Sequence, residues 1–236
     1  MSNVGDAIEA PNADWSFGGD VARTFDDHVK KSVPFYHEGH TLIAEVSDFF
    51  LGRNSVCYEI GCSTGGLLRE LGLRNKNKNV RIIGIDLEAN MVKSAIERCT
   101  DLQNIEISQA NAIEYEFEPC DMIVSYYTIQ FIRPYVRQNL FDRIYKALNW
   151  GGAFVLFEKV RGPDARFQDI MTSLYTDFKL RQGYSEEEIL NKARSLKGVL
   201  EPFSSQGNVD LLKRSGFVDV MTIYKYVTFE GFLAIK

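Results

Sequence analysis

The chain has 236 residues, enough for one domain with a full core, and its 45% hydrophobic and 25% charged residues with only 6 Pro exclude a disordered or collagen-like protein. Lys plus Arg total 27 against 32 Asp plus Glu, a formal net charge of -5 that disfavours a nucleic-acid partner. The 4 Cys lack CxxC spacing, and no stretch matches a secretory signal or the ~20 apolar residues of a membrane span, so a cytoplasmic protein with reduced thiols is expected.

In chain order, residues 1–14 show no periodicity and read as loose, and 25–50 read as one or two helices broken at Pro34. From residue 56 onward, β-rich runs at 56–60, 80–85, 105–108, 122–125 and 153–157 alternate with helical spacing over 66–73, 89–98 and 136–148. The last of these helices puts Leu140, Ile144, Ala147 and Leu148 on one face and is expected to end on a cap from Gly151 or Gly152. A second helical segment covers 165–200, interrupted at Gly183, with Ser185 capping the acidic turn of Glu186, Glu187 and Glu188. A helix over 209–215, capped by Gly216, precedes β runs at 218–226 and 229–235. The pattern predicts a single domain over 1–236 built on a doubly wound, Rossmann-like α/β sheet with a terminal antiparallel strand pair. An N-terminal helical segment over 1–50 and a helical insertion over 165–200 are expected to cover its site.

The strongest local signal is the run from Glu59 through Gly61, Cys62, Ser63 and Gly65, where a buried strand passes through a glycine-rich turn into a helix. In a dinucleotide site the middle position of GxGxxG is glycine, but here it is Ser63, and Glu59 at the strand end would repel a diphosphate. A carboxylate there suits the ammonium of an amino-acid moiety, so S-adenosyl-L-methionine fits better than NAD. Asp86 ends the second strand, where an acid accepts hydrogen bonds from both ribose hydroxyls. Leu87 and Met91 offer apolar contact to the adenine, and Asn111 offers an oxygen to its amino group.

The fourth strand exits through Ser125, Tyr126 and Tyr127 at the carboxyl edge, where an aromatic face would attract a sulfonium by about 0.5–2 kcal/mol. Strand side chains alternate, so one of the two tyrosines is expected to face the ligand. His37 and His40 stand three apart without a spaced carboxylate or Cys, which predicts a solvated helix face and no metal. Cys62 reads as a packing residue.

Beyond these generic features, the chain resembles the carboxy-S-adenosyl-L-methionine synthases. The likeness is carried by Asp14-Trp15-Ser16-Phe17, Ser32-Val33-Pro34-Phe35-Tyr36, Gly61-Cys62-Ser63, Thr128-Ile129-Gln130-Phe131, Asn149-Trp150-Gly151-Gly152, Asp177-Phe178-Lys179 and Gly183-Tyr184-Ser185-Glu186. It implies a class I methyltransferase fold, a homodimer, and a Tyr36 that reaches the amino-acid end of the cofactor. It also implies cofactor contacts from Gly61, Cys62, Ser63, Asp86, Leu87, Asn111 and Ala112. The chain departs from that pattern twice: Ala193 replaces the family Arg that pairs with the extra carboxylate of carboxy-S-adenosyl-L-methionine, and Tyr126 replaces an Asn. Arg194 would substitute for that Arg only if the helix turned by about 100°.

Three functions are compatible with these residues. One is a methyltransferase acting on a small molecule, with Tyr126, Tyr127, His37 and Arg194 as the candidates to touch the reacting groups. A second keeps the carboxyl transfer implied by the resemblance, with prephenate as donor. A third is a non-catalytic protein that binds the cofactor.

Overall fold

The computed structural model describes residues 2–6, 8–18 and 21–236. A short hairpin of β1 (Ser2–Asn3) and β2 (Glu9–Ala10) leads to two helices, α1 (Val21–Ser32) and α2 (Tyr36–Ser47), separated at Pro34. The alternating core follows as β3 (Val56–Ile60), α3 (Gly66–Asn75), β4 (Arg81–Asp86), α4 (Ala89–Cys99), β5 (Ile105–Gln109) and β6 (Cys120–Tyr126). After a 3-10 turn at Ile129–Phe131 come α5 (Pro134–Ala147), β7 (Leu148–Lys159), α6 (Ala165–Arg181), α7 (Glu186–Ser195) and α8 (Ser205–Ser215). The antiparallel pair β8 (Asp219–Tyr226) and β9 (Phe229–Ile235) ends the chain.

The main sheet has the order β5-β4-β3-β6-β7-β9-β8, and β9 runs antiparallel to both of its neighbours. Growth of the sheet reverses between β3 and β6, which opens a crevice at the carboxyl ends of the parallel strands. Because helices cover both faces, the central strands β3, β4, β6 and β7 are largely apolar on both sides rather than alternating with polar residues. Cys57, Ile82, Met122 and Val155 pack with Ile43, Leu67 and Ala95 of α2, α3 and α4. Tyr58, Ile83, Ile123 and Phe154 pack with Leu140, Phe141 and Leu211 of α5 and α8. Burying each such side chain contributes about 1.5–3 kcal/mol. Among the described residues no helix is long and apolar enough to cross a membrane.

Two expectations change here. The stretch 1–14, described at 2–6 and 8–14, is docked rather than loose: Val4, Ile8, Ala10 and Trp15 form a small core with Leu196 and Val199. The Ala13 N–H donates to Arg194 O at 3.0 Å, and the Trp15 N–H to Ser195 O at 3.2 Å. The segment is held by α7, which is remote in sequence, so it carries no periodicity of its own. Helix α5 also stops at Ala147 without a glycine cap, because Leu148 already has extended backbone and enters β7. Gly151 is left-handed, but it serves a register shift between β6 and β7 instead. The Ser185 capping box and the Gly216 helix cap form as expected.

Candidate active site

A cavity of about 1330 Å³ opens at the carboxyl edge of the sheet. Ligand pockets are typically about 300–1,000 Å³, so this volume has room for two small molecules side by side. One end is built from the tips of β3, β4 and β6; the other lies between the N-terminal segment, α6 and α7.

At the first end, Gly61 takes φ +73°, and a Cβ there would meet Thr128 Oγ1 at 2.2 Å, so the turn after β3 requires glycine. Ser63 adopts φ +51°, the left-handed conformation that a glycine would adopt without strain. Its N–H donates to Asp86 Oδ2 at 2.8 Å, and the Glu88 N–H donates to Asp86 Oδ1 at 3.0 Å. The Asp86 carboxylate therefore organises the turn and still lines the cavity. Burial raises its pKa, and those backbone donors counter the rise.

Glu59 has the parity of Cys57 along β3, which directs its carboxylate toward the start of α3, where the Leu68 N–H donates to it. Its Oε2 is buried without a hydrogen-bond partner among the described residues, and burial together with the Asp86 charge pushes its pKa well up. An ammonium placed beside it would satisfy that oxygen and restore its charge. The residues at this end fit an amino-acid-bearing nucleoside on that observation. Helix α1 closes over the turn: Thr64 donates to Asp26 Oδ1 at 2.6 Å, and Arg98 pairs with the same Asp26 carboxylate.

Tyr36, Tyr126, Tyr127 and His40 form an aromatic wall, with Tyr126 ring centroids 5.1 Å from Tyr36, 4.6 Å from Tyr127 and 4.8 Å from His40. Both tyrosines of the pair line the cavity, not one. β6 ends at Tyr126, and Tyr127 turns to φ +58°, which breaks the strand alternation. The Tyr126 hydroxyl donates to Tyr36 O at 2.7 Å and is held protonated by burial, so it positions α2 and accepts no proton. This packing depends on Gly39, where a Cβ would meet the Tyr126 oxygen at 2.1 Å. Gly39→Ala is expected to destabilise the protein by about 1–3 kcal/mol, and adding Tyr126→Phe to recover part of that loss; thermal melts of the two variants measure it. His40 is buried rather than solvated, and burial lowers its pKa to about 3. His37 is the exposed member of that pair.

Of the other residues expected here, Tyr36, Cys62, Leu87, Met91, Asn111 and Ala112 line the cavity. Asn111 Oδ1 already accepts from the Ile113 N–H at 3.1 Å, so it shapes its own loop as well. Gly65 lies behind the turn against Ala95, and Ser125 is fully buried; neither lines the cavity. Arg194 is exposed and also lies outside it, whereas Ala193 is on its wall.

At the second end are three lysines to which neither motif nor spacing assigns a role. Lys159, Lys179 and Lys192 all line the cavity, and among the described residues no carboxylate stands within ion-pair distance of any of them. The Lys159 and Lys179 ammoniums lie 4.2 and 4.6 Å from the Tyr175 ring centroid. Burial lowers Lys179 to about 8, and burial with the charges of Lys179 and Lys197 lowers Lys159 to about 7. Lys159 closes β7, so the rule that ligands gather at carboxyl strand ends points to it; Lys179 and Lys192, on the insertion helices, have no comparable signal.

The family model described as methyltransferase domain matches residues 58–152. The chain is 38% identical over 224 residues to the carboxy-S-adenosyl-L-methionine synthase of Staphylococcus epidermidis, covering 94% of this chain and 97% of that protein. Against the synthase of the same name from Campylobacter jejuni it is 37% identical over 229 residues, 97% of each chain. Human N-acetylserotonin methyltransferase in complex with S-adenosylmethionine superposes with a TM-score of 0.61 at 16% identity, over 92% of this chain and 56% of that one. Haemonchus contortus phosphoethanolamine N-methyltransferase 2 does so with a TM-score of 0.65 at 17% identity, over 91% and 57%. At these identities the structural likeness is one of fold.

Proposed function

The chain belongs to the carboxy-S-adenosyl-L-methionine synthase family, and from that membership and its cavity we propose a class I S-adenosylmethionine-dependent enzyme that transfers a methyl group to a small anionic molecule. The observation that carries this reading is the division of the cavity: carboxylates Glu59 and Asp86 at one end, and at the other Lys159 and Lys179, which have no acidic partner among the described residues. Buried ammoniums are costly unless an anion pairs with them, so the second molecule bears one or two carboxylates.

When bound, S-adenosylmethionine supplies an activated methyl on a sulfonium centre. Asp86 would hold the ribose hydroxyls, Glu59 the ammonium, and Leu87 and Met91 the apolar faces of the base. The wall of Tyr36, Tyr126 and Tyr127 presents rings that favour a cationic sulfur, and with α1 it excludes water. The lysines fix the acceptor, and alignment of the two molecules supplies most of the rate.

Carboxyl transfer is the second reading, favoured by 38% identity across nearly the whole of a relative with that name. Position 193 speaks against it. Its Ala presents no guanidinium to an extra carboxylate, and Arg194 lies outside the cavity. Mass spectrometry of the nucleoside left after incubation with S-adenosylmethionine and a bacterial metabolite extract separates the two. S-adenosylhomocysteine is the expected product; a nucleoside heavier than S-adenosylmethionine by the mass of CO2 would establish the second reading instead. A homodimer in the cytoplasm, with no membrane or nucleic-acid partner, completes the proposal, supported by the family and by the net charge of -5.

A further inference from the structure

The N-terminal segment, α1 and α7 meet around a chain of polar groups that neither cofactor binding nor anion binding uses. Lys192 Nζ lies 3.1 Å from His28 Nε2, and His28 Nδ1 lies 2.8 Å from Asp6 Oδ2. The Tyr184 hydroxyl donates to the same Asp6 oxygen at 2.7 Å, and Lys31 pairs with the other. Burial alone would raise the Asp6 pKa, but Lys31, Tyr184 and His28 hold it below the usual range, so the carboxylate is ionised and only accepts. His28 Nδ1 then carries the imidazole proton, and Nε2 accepts from Lys192. One N–H of the lysine is thus fixed, and the rest of the amine faces the cavity beside Trp15.

We propose that Lys192, oriented by His28 and Asp6, is the proton acceptor at the second-ligand end of the cavity. This rests on the transfer reading above. As methyl transfer proceeds, the electron pair of the acceptor's X–H bond forms the new bond to carbon, the carbon–sulfur pair leaves with sulfur, and the released proton becomes a third N–H on Lys192. Lys192 differs from its two neighbours in that assignment: Lys159 and Lys179 flank Tyr175 and remain anion anchors. Burial, with the Lys179 charge adding to it, lowers the Lys192 pKa to about 6, which leaves a neutral amine at physiological pH. Among the described residues, His28 of α1 contacts it directly, the charges of Lys179 of α6 and of Asp6 act on it, and Lys31 of α1 and Tyr184 in the α6–α7 turn hold Asp6 behind His28. Burial and the Lys192 charge lower His28 to about 4, so the two titrations fall apart from each other.

Trp15 under the lysine reports on this directly, since the only other Trp, Trp150, is 88% exposed and replaceable by Phe. In Trp150→Phe protein, the Trp15 emission is expected to titrate with a midpoint near pH 6, and Lys192→Met or Lys192→Arg to abolish that step. Site-resolved acetylation of the unmodified protein gives the same midpoint without relying on a variant that folds. No transition between pH 5 and 8 by either method, or one that survives both substitutions, overturns the inference. S-adenosylhomocysteine binding is measured in parallel by calorimetry. Saturable binding without the titration sinks the inference alone, whereas no binding sinks the reading beneath it and the inference together.

Discussion

Asp86→Ala is expected to weaken S-adenosylhomocysteine binding by roughly 10²–10⁴-fold, because two hydrogen bonds from ribose hydroxyls to a charged acceptor contribute about 1.5–3 kcal/mol each. The loss has a second source. The same carboxylate accepts from the Ser63 and Glu88 N–H groups, so its removal frees the left-handed Ser63 turn that faces the ligand. Asp86→Asn retains an acceptor for one of those donors and is expected to lose roughly tenfold. Calorimetric titration of the three proteins checks the order; equal affinities would remove Asp86 from the site.

Lys179→Met is expected to act in opposite directions on stability and on binding. In the free protein it removes a buried ammonium that no carboxylate among the described residues offsets, which should stabilise the fold by about 1 kcal/mol or more, a rise in Tm of about 2–4 °C per kcal/mol at this size. Affinity for a dicarboxylate probe such as succinate should fall by roughly 10–100-fold, the contribution of one charged hydrogen bond. The sign of the pH dependence follows from linkage. Burial places the folded pKa at about 8, below the roughly 10.4 of the unfolded chain. Between those values the unfolded state binds more protons, so wild-type stability rises with pH and the destabilising contribution of Lys179 is complete below about 8. The stability gap to Lys179→Met is therefore widest at neutral pH and closes toward pH 10. Thermal melts across that range measure it, and a less stable variant at pH 7 would mean that Lys179 has a partner in the free protein.

Much of the fold was legible because its elements announce themselves locally. The apolar runs that became β3, β4, β6 and β7 are buried on both faces and separated by helical spacing, and Glu59 and Asp86 stand where strands end. The same positional rule reaches Lys159. What sequence spacing does not carry is long-range pairing: Lys192 and His28 are 164 residues apart, and the N-terminal hairpin owes its order to α7 rather than to any period of its own. Both tyrosines line the cavity because a single left-handed residue, Tyr127, ends the strand alternation, and Arg194 lies outside it because α7 turns position 193, not 194, toward the wall. Tyr126 is legible only with Gly39, whose missing Cβ makes room for the ring oxygen.

One cavity is proposed to hold a sulfonium nucleoside and an anion together. Calorimetry with S-adenosylhomocysteine first and succinate second separates joint binding from competition. One equivalent of nucleoside should bind, followed by succinate without displacing it, and Lys159→Met with Lys179→Met should remove only the second event. Competition between the two ligands, or no heat from the nucleoside at all, would contradict it.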